Sequence, residues 1–367
     1  MFKVREELRD VAPCTHGGRL EEIAASLGAG EAGLLDFSVN VNPYPPSDAR
    51  AIIARAYGEV SRYPDNSYSR FCRSAARFTG TLMENIVPGN GSMEIIRLFA
   101  ESILEKGDLV AIPSPTFGEY EQQCRLFGAG IRYLRLTDLY KKEYWHLNGC
   151  KATFLCNPNN PDGELMSKGD VLQLVDYCKK NNIIVVVDEA FIDLADPEQS
   201  VASHVDEYDN LLVLRSLTKC FAIPGFRLGF GVTSKENASL LNKVRLTWNL
   251  DSISSEVGIY YMDTSKAYLD VSRTYVHRER EWLFDQISAI KGVKALPTSA
   301  NYFLLDIGLI GLSSTEFTAR MLCEKILVRD CGSFKMLGYP CVRLAVRTRE
   351  VNVRLVSALK KVAGALN

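Results

Sequence analysis

Ile183-Ile184-Val185-Val186-Val187-Asp188-Glu189-Ala190-Phe191 is the stretch on which the fold turns. Five β-branched residues in succession, with no alternation of polar positions, describe a strand buried on both faces, as in the centre of a parallel sheet. The run ends in an acid. In open α/β sheets ligands gather at the carboxyl ends of the strands, so Asp188 is placed where a carboxylate can pair with a ligand. Taken alone, the same acid could equally cap a helix.

Working outward, further runs repeat the pattern. Residues 108–113, 131–136, 152–156, 211–216 and 228–232 read as strands, with helical periodicity between most of them. Alternation from about residue 46 to residue 245 predicts an α/β unit built on a mainly parallel sheet. Glu256 to Lys291 reads as a long, charged amphipathic helix, interrupted or continuous. Residues 301–306, 326–330 and 342–346 then suggest a small α+β domain. The expected division is 1–45 as an N-terminal arm packing on the small domain, 46–250 as the large domain, and 251–367 as interdomain helix and small domain.

Polar motifs fall at the expected strand ends. Asn157-Pro158-Asn159-Asn160-Pro161-Asp162-Gly163 follows the apolar run at 152–156 and forms a turn at the sheet edge. Gly89-Asn90-Gly91-Ser92-Met93-Glu94 opens a helical pattern, and its backbone N–H groups could cradle a phosphate. Ser216-Leu217-Thr218-Lys219 is followed by Arg227 in Pro224-Gly225-Phe226-Arg227-Leu228-Gly229. A lysine that carries an aldehyde cofactor as a Schiff base needs hydroxyl and guanidinium groups nearby to hold the cofactor's phosphate.

Composition restricts the alternatives. The 367 residues are 47% hydrophobic with a net charge of −1, which suits a globular protein and gives no electrostatic reason to expect nucleic acid or a membrane surface as partner. Ten cysteines show no CxxC pair and no metal-ligand spacing, so no metal is expected. With no secretory signal at the start, they read as reduced thiols in a cytoplasmic protein. No apolar stretch approaches transmembrane length.

In combination these motifs, with Phe117 as a ring to stack on a cofactor, resemble the fold-type I enzymes dependent on pyridoxal 5'-phosphate (PLP), specifically aminotransferase class I/II. The resemblance implies that Lys219 carries the cofactor and that Asp188 pairs with its pyridine nitrogen. By the same resemblance Asn160 bonds the ring's phenolic oxygen, and Gly91, Ser92, Met93, Ser216, Thr218 and Arg227 surround the phosphate. It also implies a homodimer, with Tyr63 reaching the neighbouring subunit's cofactor. Phe191 stands where many relatives have a tyrosine, so that tyrosine's bond to the phenolic oxygen is expected to be missing.

The parts outside the cofactor core narrow the resemblance. His16-Gly17-Gly18, Asp36 to Pro43, Asp188 to Asp193 and Arg215 to Lys219 look like the threonine-phosphate decarboxylases of cobalamin biosynthesis, cousins of the histidinol-phosphate aminotransferases. That likeness implies an anionic amino-acid substrate contacted by His16, Gly17, Asn40, Asn160, Arg329 and Arg343, and the reaction expected first is decarboxylation of O-phospho-L-threonine or O-phospho-L-serine. Arginines at 329, 343 and 347 independently suit an anion, because guanidinium groups bind carboxylate or phosphate through paired hydrogen bonds. A histidinol-phosphate aminotransferase is the alternative, and a non-catalytic regulator on the same fold the distant one. Asp162 and Asp251 depart from the pattern by placing acids near the expected pocket. Asp251 is expected to point away from it or to meet an arginine.

Overall fold

The computed structural model describes residues 2–9, 11–26, 33–44, 46, 48–264 and 266–364. Among these residues thirteen strands form three sheets. Leu35–Asp36 (β1) pairs in parallel with Ile326–Leu327 (β11). A seven-stranded sheet contains Ile86–Asn90 (β2), Leu109–Ser114 (β3), Gly130–Arg135 (β4), Ala152–Cys156 (β5), Ile184–Asp188 (β6), Leu211–Ser216 (β7) and Leu228–Thr233 (β8), in the order β2-β8-β7-β6-β5-β3-β4. A four-stranded antiparallel sheet joins Lys294–Ala295 (β9), Tyr302–Asp306 (β10), Arg329–Asp330 (β12) and Cys341–Ala345 (β13), in the order β12-β13-β10-β9.

The large sheet is parallel from β7 through β4, and only β8 runs against its neighbours. β6 is the middle strand. Val185, Val186 and Val187 have no exposed surface, as an unalternating β-branched run requires when helices cover both faces. Val185 and Val187 contribute to one apolar layer and Val186 to the other, so successive side chains feed opposite sides of the sheet. A third apolar cluster, containing Phe37, Phe303, Phe317 and Leu344, lies under the four-stranded sheet.

Two features depart from expectation. β2 is not among the expected strands, and Ile-Val-Pro-Gly-Asn is poor strand material. Proline and glycine are tolerated there because β2 is an edge strand. The first forty-five residues also serve two surfaces, not one. Arg5 donates to the Leu126 carbonyl at 3.1 Å, and the Cys14 N–H donates to Gln122 at 3.0 Å, so the early part leans on the helix Glu119–Leu126 beside the large sheet. The later part, at Leu35–Asp36, pairs as a strand with the C-terminal unit. Residues 1, 10, 27–32 and 45 of the expected arm lie outside the described residues.

The expected long helix is two, Ser252–Thr264 and Lys266–Ser288. Among the described residues no helix is long and apolar enough to cross a membrane.

Candidate active site

The register of the large sheet places Cys156, Asp188 and Leu214 level with one another on β5, β6 and β7. The turn at 157–163, Asp188 and Ser216 therefore emerge at the same carboxyl edge. Asp188 is buried, and each oxygen has one donor: Tyr120 Oη at 2.6 Å on Oδ2 and the Ala190 N–H at 3.0 Å on Oδ1. Burial pushes the carboxyl pKa up, while Tyr120, Ala190 and the charge of Lys219 pull against that shift.

Lys219 sits in the short helix Leu217–Cys220 that follows β7. Burial, then repulsion from Arg343 and Arg227, brings its pKa down to about 8, opposed by Asp188. An amine so shifted is partly neutral near physiological pH, the state a nucleophilic or proton-accepting lysine requires.

Beside it is a phosphate-sized cradle. Gly91 precedes the helix Ser92–Ile103 with φ of +76°, and a Cβ there would stand 2.8 Å from Arg227 Nη2. Gly229 is opposite Ser216 in the β7–β8 ladder. A Cβ on Gly229 would fall 2.4 Å from the Ser92 nitrogen and 2.8 Å from the Arg215 carbonyl oxygen. Ser216 Oγ and Thr218 Oγ1 are 2.8 Å apart. A helix N-terminus, two hydroxyls and one guanidinium thus meet where two glycines leave room, a donor set suited to a phosphate dianion. Met93 is half-buried behind it, packed against the apolar layer.

A second region opens outward. A cavity of about 900 Å3 is lined by His16, Gly17, Phe117, Asn160, Arg329 and Arg343, among others. Lys219, Asp188 and the cradle are not part of its wall; Asn160 and Arg343 connect the two regions. Arg329 and Arg343 are directly opposite on β12 and β13, which puts both side chains on one face of the sheet. Both are buried, and burial pulls both pKa values down.

Among the described residues neither arginine is ion-paired. Their hydrogen bonds go to neutral groups instead. Arg343 donates to the Asn160 side-chain oxygen and, at 3.0 Å, to the Ser38 carbonyl. The Asn40 amide, oriented by its partners, places its oxygen 3.2 Å from both Nη1 and Nε of Arg343. Arg329 donates to the Thr15 carbonyl at 2.6 Å. His16 Nε2 meets Oε1 of the buried Glu119 at 2.6 Å. Gly17 is pressed against the arm's next turn, since a Cβ would lie 2.6 Å from the Ser38 carbonyl oxygen.

Other sequence-derived candidates fall elsewhere. Tyr63 is 78% exposed, stacks on Trp248 at 4.2 Å and lines a separate surface cleft, so within one chain it does not join the pocket. Asp251 accepts the Ser254 N–H and hydroxyl and caps the helix Ser252–Thr264. Asp162 closes its own turn, accepting from Asn159 and the Glu164 N–H. Arg347 is not in the cavity wall. Phe191 packs edge-on against Tyr302, whose hydroxyl donates to the Asn159 carbonyl.

Tyr120 and Glu119 were not foreseen. They follow Phe117 in Phe117-Gly118-Glu119-Tyr120, and the only available signal was a polar pair at the start of a helix beside the expected stacking ring.

Residues 32–359 match the family described as aminotransferase class I and II. The chain belongs to that family. Its cofactor is pyridoxal 5'-phosphate, and the cradle, the buried acid and the depressed lysine all fit it.

A histidinol-phosphate aminotransferase of Methanococcus aeolicus is 28% identical over 372 residues, with 98% of each chain covered. A Caldanaerobacter subterraneus subsp. tengcongensis protein named "Putative threonine-phosphate decarboxylase" is 33% identical over 334 residues, with 88% of each covered. Among solved structures, histidinol-phosphate aminotransferase from Sinorhizobium meliloti in complex with pyridoxal-5'-phosphate has the same fold, with a TM-score of 0.84. It is 16% identical, and the match covers 100% of this chain and 99% of that one.

Proposed function

We propose that this class I/II family member removes the α-carboxyl group of an O-phosphorylated amino acid, O-phospho-L-threonine or its serine counterpart. The observation that carries the reading is the pair of buried arginines, 329 and 343, set side by side without a carboxylate partner among the described residues and sharing a cavity with His16. Two uncompensated buried guanidiniums call for a ligand of high negative charge, and a phosphate dianion suits them better than a single carboxylate.

PLP, when bound, supplies an electron-withdrawing ring that can accept the electron pair of a bond broken at the substrate's Cα. The chain's residues determine which bond that is. Ser216, Thr218, Arg227 and the Ser92 helix N-terminus would hold the cofactor's phosphate, and Asp188, which accepts from Tyr120 and Ala190, would pair with its ring nitrogen. Arg329, Arg343 and His16 hold the substrate's phosphate, with Asn40 and Asn160 fixing the Arg343 fork. No arginine of that set would then remain to hold the α-carboxylate, which would be left free to depart as CO2. Lys219, with its pKa near 8, returns a proton to Cα.

Were Arg343 instead to hold a carboxylate in the plane of the ring, the Cα proton would be the group lost, to Lys219, and transamination would follow. That second reading, on histidinol phosphate, is favoured by the name of the Methanococcus aeolicus relative. Discrimination between threonine and serine phosphates rests on one methyl group and is expected to be weak. We further propose a homodimer in which the exposed Tyr63–Trp248 stack meets the neighbouring subunit, and a place for the product in cobalamin assembly.

The test is mass spectrometry of products after incubating PLP-loaded protein with O-phospho-L-threonine and no keto-acid acceptor. Aminopropanol phosphate over many turnovers is the expected result. Its absence, with conversion of histidinol phosphate once 2-oxoglutarate is supplied, would replace the decarboxylase by the aminotransferase.

A further inference from the structure

Glu119 poses a physical problem. It is a carboxylate only 6% exposed, placed in the shell of a cavity that has been assigned to an anion. Its hydrogen bonds explain its presence. Oε2 accepts from Gln123 Nε2 at 3.1 Å, and Oε1 faces His16 Nε2 at 2.6 Å. Burial opposes its charge, but the bonds from His16 and Gln123 prevail and hold the carboxyl below its usual range.

An ionised carboxylate can only accept, so the proton of the His16–Glu119 bond belongs to Nε2. The other ring nitrogen, Nδ1, has no hydrogen-bond partner among the described residues, and the side chain lines the cavity. In a neutral imidazole whose proton is on Nε2, Nδ1 carries a lone pair and repels a phosphate oxygen. Only the imidazolium can donate from Nδ1.

We propose that Glu119 is a positioning residue that locks His16 in the Nε2–H tautomer, so that a phosphate dianion binds at this cavity only with uptake of one proton on Nδ1. The inference rests on the proposed anion site and deepens it. Besides Glu119, which bonds His16 directly, the ionisable groups in the wall of that cavity are Glu7, Cys14, Glu121, Arg125, Tyr133, Arg329, Lys335 and Arg343. Arg329 and Arg343 attract the phosphate at every working pH. Burial, then the charges of Glu119 and Glu121, pushes the Cys14 thiol up to about 12. The proton taken up on binding is assigned to His16 because its Nδ1 has no hydrogen-bond partner among the described residues.

Glu119→Gln separates this from a merely structural role. The glutamine amide can donate to Nε2 while its carbonyl still accepts from Gln123, which moves the imidazole proton to Nδ1 and makes neutral His16 a phosphate donor. The chain has four histidines, so 15N-histidine spectra of the holoenzyme can resolve the tautomer, with His16→Asn assigning the signal. Inorganic phosphate is the first ligand to titrate.

The expected result is Nε2–H in the parent, with phosphate shifting Nδ1 toward the protonated value, and Nδ1–H in Glu119→Gln. Between about pH 8 and 9, where inorganic phosphate is already dianionic, uptake of one proton on binding should make the parent's phosphate affinity fall up to ~10-fold. Glu119→Gln and His16→Asn, both neutral donors, should vary less than ~2-fold over the same interval. An Nδ1–H parent, His16 signals unmoved by phosphate, or equal pH slopes in parent and variants would each overturn the proposal. These readouts need no turnover, so failure of the decarboxylase assay leaves them decisive.

Discussion

Replacing Tyr120 by phenylalanine should weaken PLP binding more than its distance from any reacting atom suggests. The ring is fully buried and stacked on Phe154 at 4.7 Å with an interplanar angle of 12°, and phenylalanine keeps that packing. What is lost is the 2.6 Å hydrogen bond to Asp188 Oδ2, leaving Ala190 as the one donor to a carboxylate whose pKa is already raised by burial. A hydrogen bond to a charged group contributes about 1.5–3 kcal/mol. Its removal favours the protonated acid, which lacks the negative charge that pairs with a protonated ring nitrogen. If the whole loss appears in binding, the dissociation constant of PLP rises ~10- to 150-fold. Equilibrium dialysis of apoprotein against PLP at pH 7.5, with visible absorbance as a second measure, gives the number. An affinity within twofold of the parent would show that Asp188 does not depend on Tyr120 for its charge, and the account of the buried acid would fall.

Other consequences can be checked alongside. The rate at which PLP combines with apoprotein should climb with pH through about 8 and then level, because only the neutral Lys219 amine reacts and burial has brought its pKa there; a rate still rising steeply above pH 10 would contradict this. Arg215→Met should lower the thermal midpoint by an amount equivalent to ~3–5 kcal/mol, because it leaves Glu189 and Asp193 buried without their shared cation, and an unchanged melting curve would refute it. Gly229→Ala should abolish PLP retention on gel filtration, since its Cβ would stand 2.4 Å from the Ser92 nitrogen; full retention would show that the cradle is looser than drawn.

Much of the candidate site's placement could be read from sequence because its residues sit at strand ends, and strands made of unbroken β-branched runs declare themselves. Asp188, Ser216 and Lys219 are legible for that reason. Arg329 and Arg343 are legible only as charges: that they face one another depends on the β12–β13 ladder, which a fourteen-residue spacing does not specify. Glu119 and Tyr120 escaped because Glu-Tyr-Glu-Gln-Gln at 119–123 has the polarity of a solvated helix face, whereas the helix presents part of it to buried partners. Asp162 and Asp251 drew attention as misplaced acids, yet each accepts hydrogen bonds within its own local turn or cap. A sequence shows which residues could act as caps but not whether the geometry uses them.

The strand order carries a consequence for biogenesis. The cradle lies between β2 and β8, so residues 86–92 and 215–229 must meet before a phosphate can be held. Between them in the chain come β3 through β7, all of which occupy the sheet beyond β8. Pairings so distant along the chain are slow to form. PLP capture by a growing or refolding chain would therefore mark closure of the last edge of the large sheet, and visible absorbance would serve as a clock for completed folding rather than for early collapse.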